Sequence, residues 1–225
     1  MGRLHRGYNP VGGERNPLVR GPERPSVLPS VPDVAPGGWR YARPPFVAAL
    51  PALFVAPPLA AVCVALGVAA LWFHRDPERS PPPSGIVAPA DGRVSVVEKE
   101  GNRVRVAVFM NVTDVHVNRA PAPGTVRSVV HTPGGHLPAF TKSSERNERV
   151  RLECGGYELT LIAGAVARRI HPYVDPGEEL DRGERIGHIS FGSRADVLLG
   201  PEYDLGDVRV TEGQQVRAGE TVVAH

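Results

Sequence analysis

P-G-E-E-L-D-R-G-E-R-I-G, residues 176–187, returns as E-G-Q-Q-V-R-A-G-E-T-V-V at 212–223, and the two stretches register without a gap. Gly177 falls on Gly213, Gly183 on Gly219, Glu184 on Glu220 and Ile186 on Val222. Glycines at fixed places supply tight turns, and the aliphatic residues between them face a core. The pattern G-x-x-[LV]-x-x-G-E-x-[IV] therefore predicts one turn-and-strand unit used twice.

Such a unit resembles those of lipoyl- and biotinyl-type β-sandwich domains. Upstream of it run short alternating segments that read as strands: G-R-V-S-V-V-E at 92–98, R-V-R-V-A-V-F-M at 103–110, G-T-V-R-S-V-V at 124–130, E-R-V-R-L-E-C at 148–154 and Y-E-L-T-L-I-A-G-A-V at 157–166. The fold class expected is mainly β, a compact sandwich or barrel-sandwich domain over residues 74–225. Its lysines are only Lys99 and Lys142, neither in the hairpin context of a carrier domain, and a net charge of +2 offers no nucleic-acid footprint. Cys63 and Cys154 are too few for a disulfide framework or a zinc site, so no metal is expected.

The N-terminal third differs. Residues 1–45 are rich in Arg, Pro and Gly with few bulky apolar groups, and read as a disordered basic tail. From Phe46 to Phe73 no charge occurs, and the run is long enough to cross a hydrocarbon core of roughly 30 Å as an α-helical membrane anchor. Pro51, Pro57 and Pro58 interrupt it, so a re-entrant hairpin of two short helices competes with a single kinked span. Arginine flanks both ends (Arg40, Arg43, Arg75, Arg79). Attachment to the cell membrane is expected, with the β domain on the cytoplasmic side.

Between the two repeat copies sits I-S-F-G-S-R-A-D, 189–196. A Gly-Ser pair is often just a turn. Its chemistry can go further, because a serine hydroxyl can attack the preceding carbonyl, which glycine leaves open. The ester so formed can eliminate, and hydrolysis then leaves a pyruvoyl group on residue 193, a carbonyl able to form a Schiff base with an amine. Two further clusters carry ionisable groups: A-P-A-D-G-R-V at 88–94, with Asp91 on an Asp-Gly turn, and D-V-H-V-N-R at 114–119. Period two would put Asp114, His116 and Asn118 on one face and Arg119 on the other. A histidine flanked by polar residues between apolar strands is a candidate for proton transfer near neutral pH.

These stretches, with F-H-R-D-P-E-R at 73–79, K-S-S-E-R-N-E-R at 142–149, I-A-G-A-V-A-R-R-I at 162–170 and the G at 124, occur in the order found in phosphatidylserine decarboxylase proenzymes of the short, membrane-anchored class, which the chain resembles over roughly 46–210. The resemblance implies self-cleavage between Gly192 and Ser193 into a large chain (1–192) and a small chain (193–225) that stay together as a heterodimer. It implies a covalent pyruvoyl cofactor from Ser193, with His116 and Asp91 completing a Ser-His-Asp arrangement, and phosphatidylserine in a lipid membrane as substrate. Arg119 and Asn118 are candidates for substrate binding. Long-form members carry a second histidine where this chain has Arg119, and an aromatic residue is usual where it has His74. Two other readings remain: a membrane-anchored β-sandwich adaptor without activity, which would show no break at Gly192, and a pyruvoyl decarboxylase acting on another amine. The anchor is expected to be separable from the catalytic domain.

Overall fold

The computed structural model describes residues 33–135, 147–164, 169–189 and 193–225. Two 17-residue helices, α1 (Trp39–Val55) and α2 (Pro57–Phe73), meet at Ala56. Proline has no amide hydrogen and fits a helix only in its first turn, so Pro57 and Pro58 end one helix and open the next. The helices pack on each other: Gly67 lies so close to Phe46 that a Cβ would sit 2.6 Å from its ring. Of the two arrangements open to the apolar run, the hairpin is the one formed. No described helix is long and apolar enough to cross a membrane, each covering about 25 Å at 1.5 Å per residue. Large apolar side chains nevertheless face outward from both, Phe54 and Val55 at the tip being 89% and 87% exposed.

The hairpin reaches further back than the uncharged run. Helix α1 starts at Trp39, and a short strand β1 (Asp33–Val34) pairs with β2 (Arg75–Asp76) directly after α2. Residues 33–45, read from composition as tail, thus join the fold because β1 finds a partner in β2, with Asp33 opposite Asp76 and Val34 opposite Arg75.

The remainder is mainly β, with a curled eight-stranded half-barrel. Its strands are β3 (Ile86–Val87), β4 (Gly92–Glu100), β5 (Arg103–Met110), β6 (Val117–Arg119), β7 (Gly124–Thr132), β8 (Arg149–Cys154), β9 (Tyr157–Ile162), β10 (Ile170–Pro172), β11 (Glu179–Leu180), β12 (Arg185–Ile189), β13 (Ser193–Leu199), β14 (Gln215–Val216) and β15 (Val222–Ala224). The large sheet runs β11-β7-β8-β9-β13-β5-β4-β14, and β10-β12-β6 and β15-β3 form smaller sheets beside it. Strands β5 and β13 are central; Val104, Val106, Val108 and Met110 alternate into the core against Leu159, Leu161, Ala195 and Val197.

The repeat found at 176–187 and 212–223 has a structural counterpart. Gly177 N–H donates to the Val126 carbonyl as Gly213 N–H donates to Val94, and Gly183 N–H donates to Ala120 as Gly219 N–H donates to Ala88. The partners in turn belong to a second repeat, A-P-A-D-G-R-V at 88–94 and A-P-A-P-G-T-V at 120–126, bound to each other by reciprocal bonds from Val87 N–H to Pro121 and from Arg119 N–H to Pro89. Two equivalent half-units therefore interlock, and Asp91 on one side is answered by Pro123 on the other.

Gly92 marks where the first half-unit comes closest to β5. A Cβ there would lie 2.1 Å from the Phe109 carbonyl oxygen, and its φ is +145°. Gly92→Ala is expected to cost more than about 4 kcal/mol, the range of severe backbone clashes. Gly101→Ala is the control: its φ is +62° in open space, so only the left-handed backbone penalty of about 1–2 kcal/mol applies. Thermal unfolding of the two variants should show this ordering; equal losses would mean that the Gly92–Phe109 approach is not a constraint.

Candidate active site

Ser193 begins β13, is fully buried, and pairs across the sheet with Met110 at the end of β5. Its Oγ lies 3.8 Å from the Met110 sulfur, and the Asn118 Nδ2 is 3.8 Å from the same atom. Gly92, following Asp91, packs against the β5 backbone at Phe109 and Met110, where a Cβ would come 3.2 Å from the Met110 Cα. The His116 carbonyl accepts from the Ile189 amide, at the end of the strand leading toward Ser193. Three segments far apart in sequence, carrying Asp91, His116 and Ser193, thus gather around Met110. Gly192, residues 142–146 of the 142–149 motif and residues 165–168 of the 162–170 motif lie outside the described residues.

The side-chain bonds give each group a definite state. His116 Nδ1 is 2.9 Å from the Asp114 carbonyl, and since a carbonyl only accepts, Nδ1 carries the hydrogen and Nε2 keeps its lone pair. Nε2 is buried with no hydrogen-bond partner among the described residues, as is Asn118 Oδ1. Orphaned polar atoms cost roughly 1–3 kcal/mol each, which a ligand at the site can recover. Burial pushes the His116 pKa down to about 4, with His74 and Arg75 adding to the effect, so the imidazole is neutral at physiological pH.

Asp91 is held differently. Both carboxylate oxygens accept from Arg79, at 3.0 and 2.8 Å, and Oδ1 also takes the Ala218 amide at 2.8 Å. The Asp114 carboxylate closes a turn onto the Asn111 amide, so it does not share a face with His116 and Asn118 as strict alternation required; β6 starts only at Val117. Arg119 does point the other way, to Asp76 at 2.7 Å and to the carbonyls of Pro77 and Gly183.

Side chains that pattern reading passed over complete the site. Phe73, the last residue of α2, packs on His116 with ring centroids 4.3 Å apart, so the hairpin contributes to the site as well as preceding it. His188 shares a 2.6 Å hydrogen bond with the Tyr173 hydroxyl and stacks on His171 at 4.6 Å. Burial, then its histidine neighbours, brings its pKa down to about 3. His188 lies inside the R-I-G-H-I-S-F-G-S motif, where a histidine between the buried Ile186 and Ile189 was the available signal.

A buried serine and an uncharged histidine with a free lone pair define a site for acyl or proton-transfer chemistry within a β domain. The family profile of phosphatidylserine decarboxylase matches residues 66–224. A Halobacterium salinarum protein named "Putative archaetidylserine decarboxylase proenzyme" is 61% identical over 84% of this chain and 97% of its own length. The phosphatidylserine decarboxylase proenzymes of Thermobifida fusca (46% identical; 85% of this chain, 92% of that one) and Streptomyces griseus (52%; 70% and 74%) are similar. The chain belongs to the phosphatidylserine decarboxylase family, and it is a decarboxylase. No group of side chains able to hold a metal occurs among the described residues.

The lowered pKa of His116 predicts a pH dependence of stability. Its folded value, about 4, lies below the ordinary 6.5, so in that window the unfolded chain holds more protons and stability is lost as pH falls. In a Ser193→Ala background, His116→Gln should reduce the slope of unfolding free energy between pH 6.5 and 4 by up to about 1.4 kcal/mol per pH unit. An unchanged slope would show that His116 titrates as in the unfolded chain.

Proposed function

We propose that the chain is a membrane-associated precursor that cuts itself between Gly192 and Ser193 and then decarboxylates phosphatidylserine to phosphatidylethanolamine. The observation that carries this reading is the gathering around Met110 of buried Ser193 and of Asn118, two residues after His116. In maturation the Ser193 hydroxyl adds to the Gly192 carbonyl and the peptide C–N bond breaks, leaving an ester. His116 Nε2, holding a lone pair and no hydrogen, is the group to take the hydroxyl proton. Loss of the Ser193 α-proton expels the Gly192 carboxylate, and water then releases ammonia. Asp91 acts with them from its place on Arg79 and the Ala218 amide.

The pyruvoyl group at residue 193 supplies an electrophilic carbonyl that engages the substrate amine and takes up the electrons left by carbon dioxide. The pocket suits it: the group replaces a buried hydroxyl whose only described partner is a thioether, a weak acceptor. His116 carries the proton to and from carbon, and the free Asn118 Oδ1 can accept from the substrate amine. Residues 193–225 remain with 1–192 as a heterodimer. The apolar outer face of the hairpin lies in the membrane, with the β domain on the cytoplasmic side. The interlocked half-units are kin to lipoyl-type units.

The 61% identity to the Halobacterium protein favours a second reading of the lipid alone. Archaetidylserine offers the same serine headgroup on different hydrocarbon, so rates on diacyl and isoprenoid-ether serine lipids decide between them.

Purified protein should appear as two chains, the smaller blocked to Edman degradation because a pyruvoyl group has no amine. Ser193→Ala should stay whole at 24.1 kDa and inactive, and Ser193→Cys should cut slowly. Wild-type protein that decarboxylates while uncut would overturn the mechanism.

A further inference from the structure

Four arginines stand where the hairpin enters the β domain, and three are committed to carboxylates. Arg79 is bound to Asp91 and Glu220, Arg119 to Asp76, and Arg185 to Asp76 and Glu78. Arg75 has no carboxylate within ion-pair distance among the described residues. Its guanidinium lies over the Trp72 ring, 4.1 Å from the centroid, and donates to the Trp72 carbonyl at 2.9 Å and the Thr113 carbonyl at 2.7 Å. Two of its five N–H groups are thus used and three remain.

We propose that Arg75 anchors the phosphodiester of the serine phospholipid, an inference that rests on the function proposed above. Arg75 is tied to His116 at both ends: Phe73, two residues before it, packs on the His116 ring, and Thr113, three residues before His116, accepts its hydrogen bond. Its charge also reaches His116, helping to lower that pKa. In a serine phospholipid the phosphorus is only three bonds from the reacting α-carbon, so a phosphate-binding cation has to stand beside the proton-transfer group. The location fits a lipid as well. Trp72 is 49% exposed on one side of Arg75 and Val112, in the loop before Thr113, is 56% exposed on the other; a tryptophan of this kind suits the boundary between hydrocarbon and water. The stacked, doubly hydrogen-bonded guanidinium is already in place to meet two phosphate oxygens with its planar fork.

The test uses dihexanoyl phosphatidylserine below its aggregation concentration alongside phosphatidylserine vesicles. Arg75→Gln should mature into two chains, yet its KM should rise tenfold or more on both substrates, with kcat within about threefold of wild type. Arg75→Lys should fall between the two. A KM that rises on vesicles alone would assign Arg75 to surface docking, and a loss confined to kcat would assign it to the chemistry; either overturns the proposal. If Arg75→Gln fails to mature, Arg75→Lys carries the test, and an unchanged KM there overturns it. Should wild type mature without decarboxylating either substrate, the proposed function has failed. Arg75 is then judged by calorimetric binding of the short-chain lipid to wild type and Arg75→Gln, where equal affinities count against it.

Discussion

A carboxylate at Asp76 and a guanidinium at Arg119 are 4% and 5% exposed and 2.7 Å apart, and neither could be buried without the other. Removing one partner of such a pair leaves an uncompensated charge and costs roughly 3–5 kcal/mol. Asp76 sits in β2, directly behind the hairpin, and Arg119 in β6, directly behind His116. Arg185, in the strand that runs toward Ser193, binds the second oxygen of the same carboxylate. One buried anion therefore fixes the hairpin exit, the strand that follows His116 and the approach to the nucleophile relative to each other. The register of β12 on β6, which places His188 opposite Val117, follows from the same tie.

Around that tie the two half-units impose near-symmetry, and the site lies where the symmetry fails. Asp91 occupies the place that Pro123 takes in the other half, and its carboxylate binds the Ala218 amide in the turn equivalent to that of Arg182. A proline there could neither accept that amide nor hold Arg79. The two half-units thus differ where Asp91 supplies a carboxylate and Pro123 supplies none.

Much of this was legible in residue order. The alternation of 103–110 placed β5 at its observed bounds, and Gly177, Gly183, Gly213 and Gly219 all adopt positive φ where the repeat required turns. The paired A-P-A segments escaped notice because Pro123 and Thr125 replace Asp91 and Arg93, and because the connections between halves differ in length. The family blocks singled out Ser193, His116 and Asp91 as candidates, and could not single out the acceptor on His116 Nδ1. That acceptor is a backbone carbonyl, which every residue type possesses, so it leaves no trace in composition or spacing. The ion pair of Asp76 with Arg119 was equally invisible, since charges 43 residues apart carry no local pattern.

Strand β13 runs through the middle of the large sheet, between β9 and β5, and β14 and β15 pair with β4 and β3. Every strand after Ser193 is therefore bonded to a strand before it. A chain cut ahead of Ser193 keeps its shape only because those ladders already exist, and the small piece cannot leave without dissolving the sheet. The loop closure that brought β13 between its neighbours is available while the peptide is continuous and unavailable afterwards. Once opened by heat or denaturant, the severed protein would face a bimolecular search with exposed strand edges in place of an intramolecular one. A protein so cut would persist according to how slowly it unfolds.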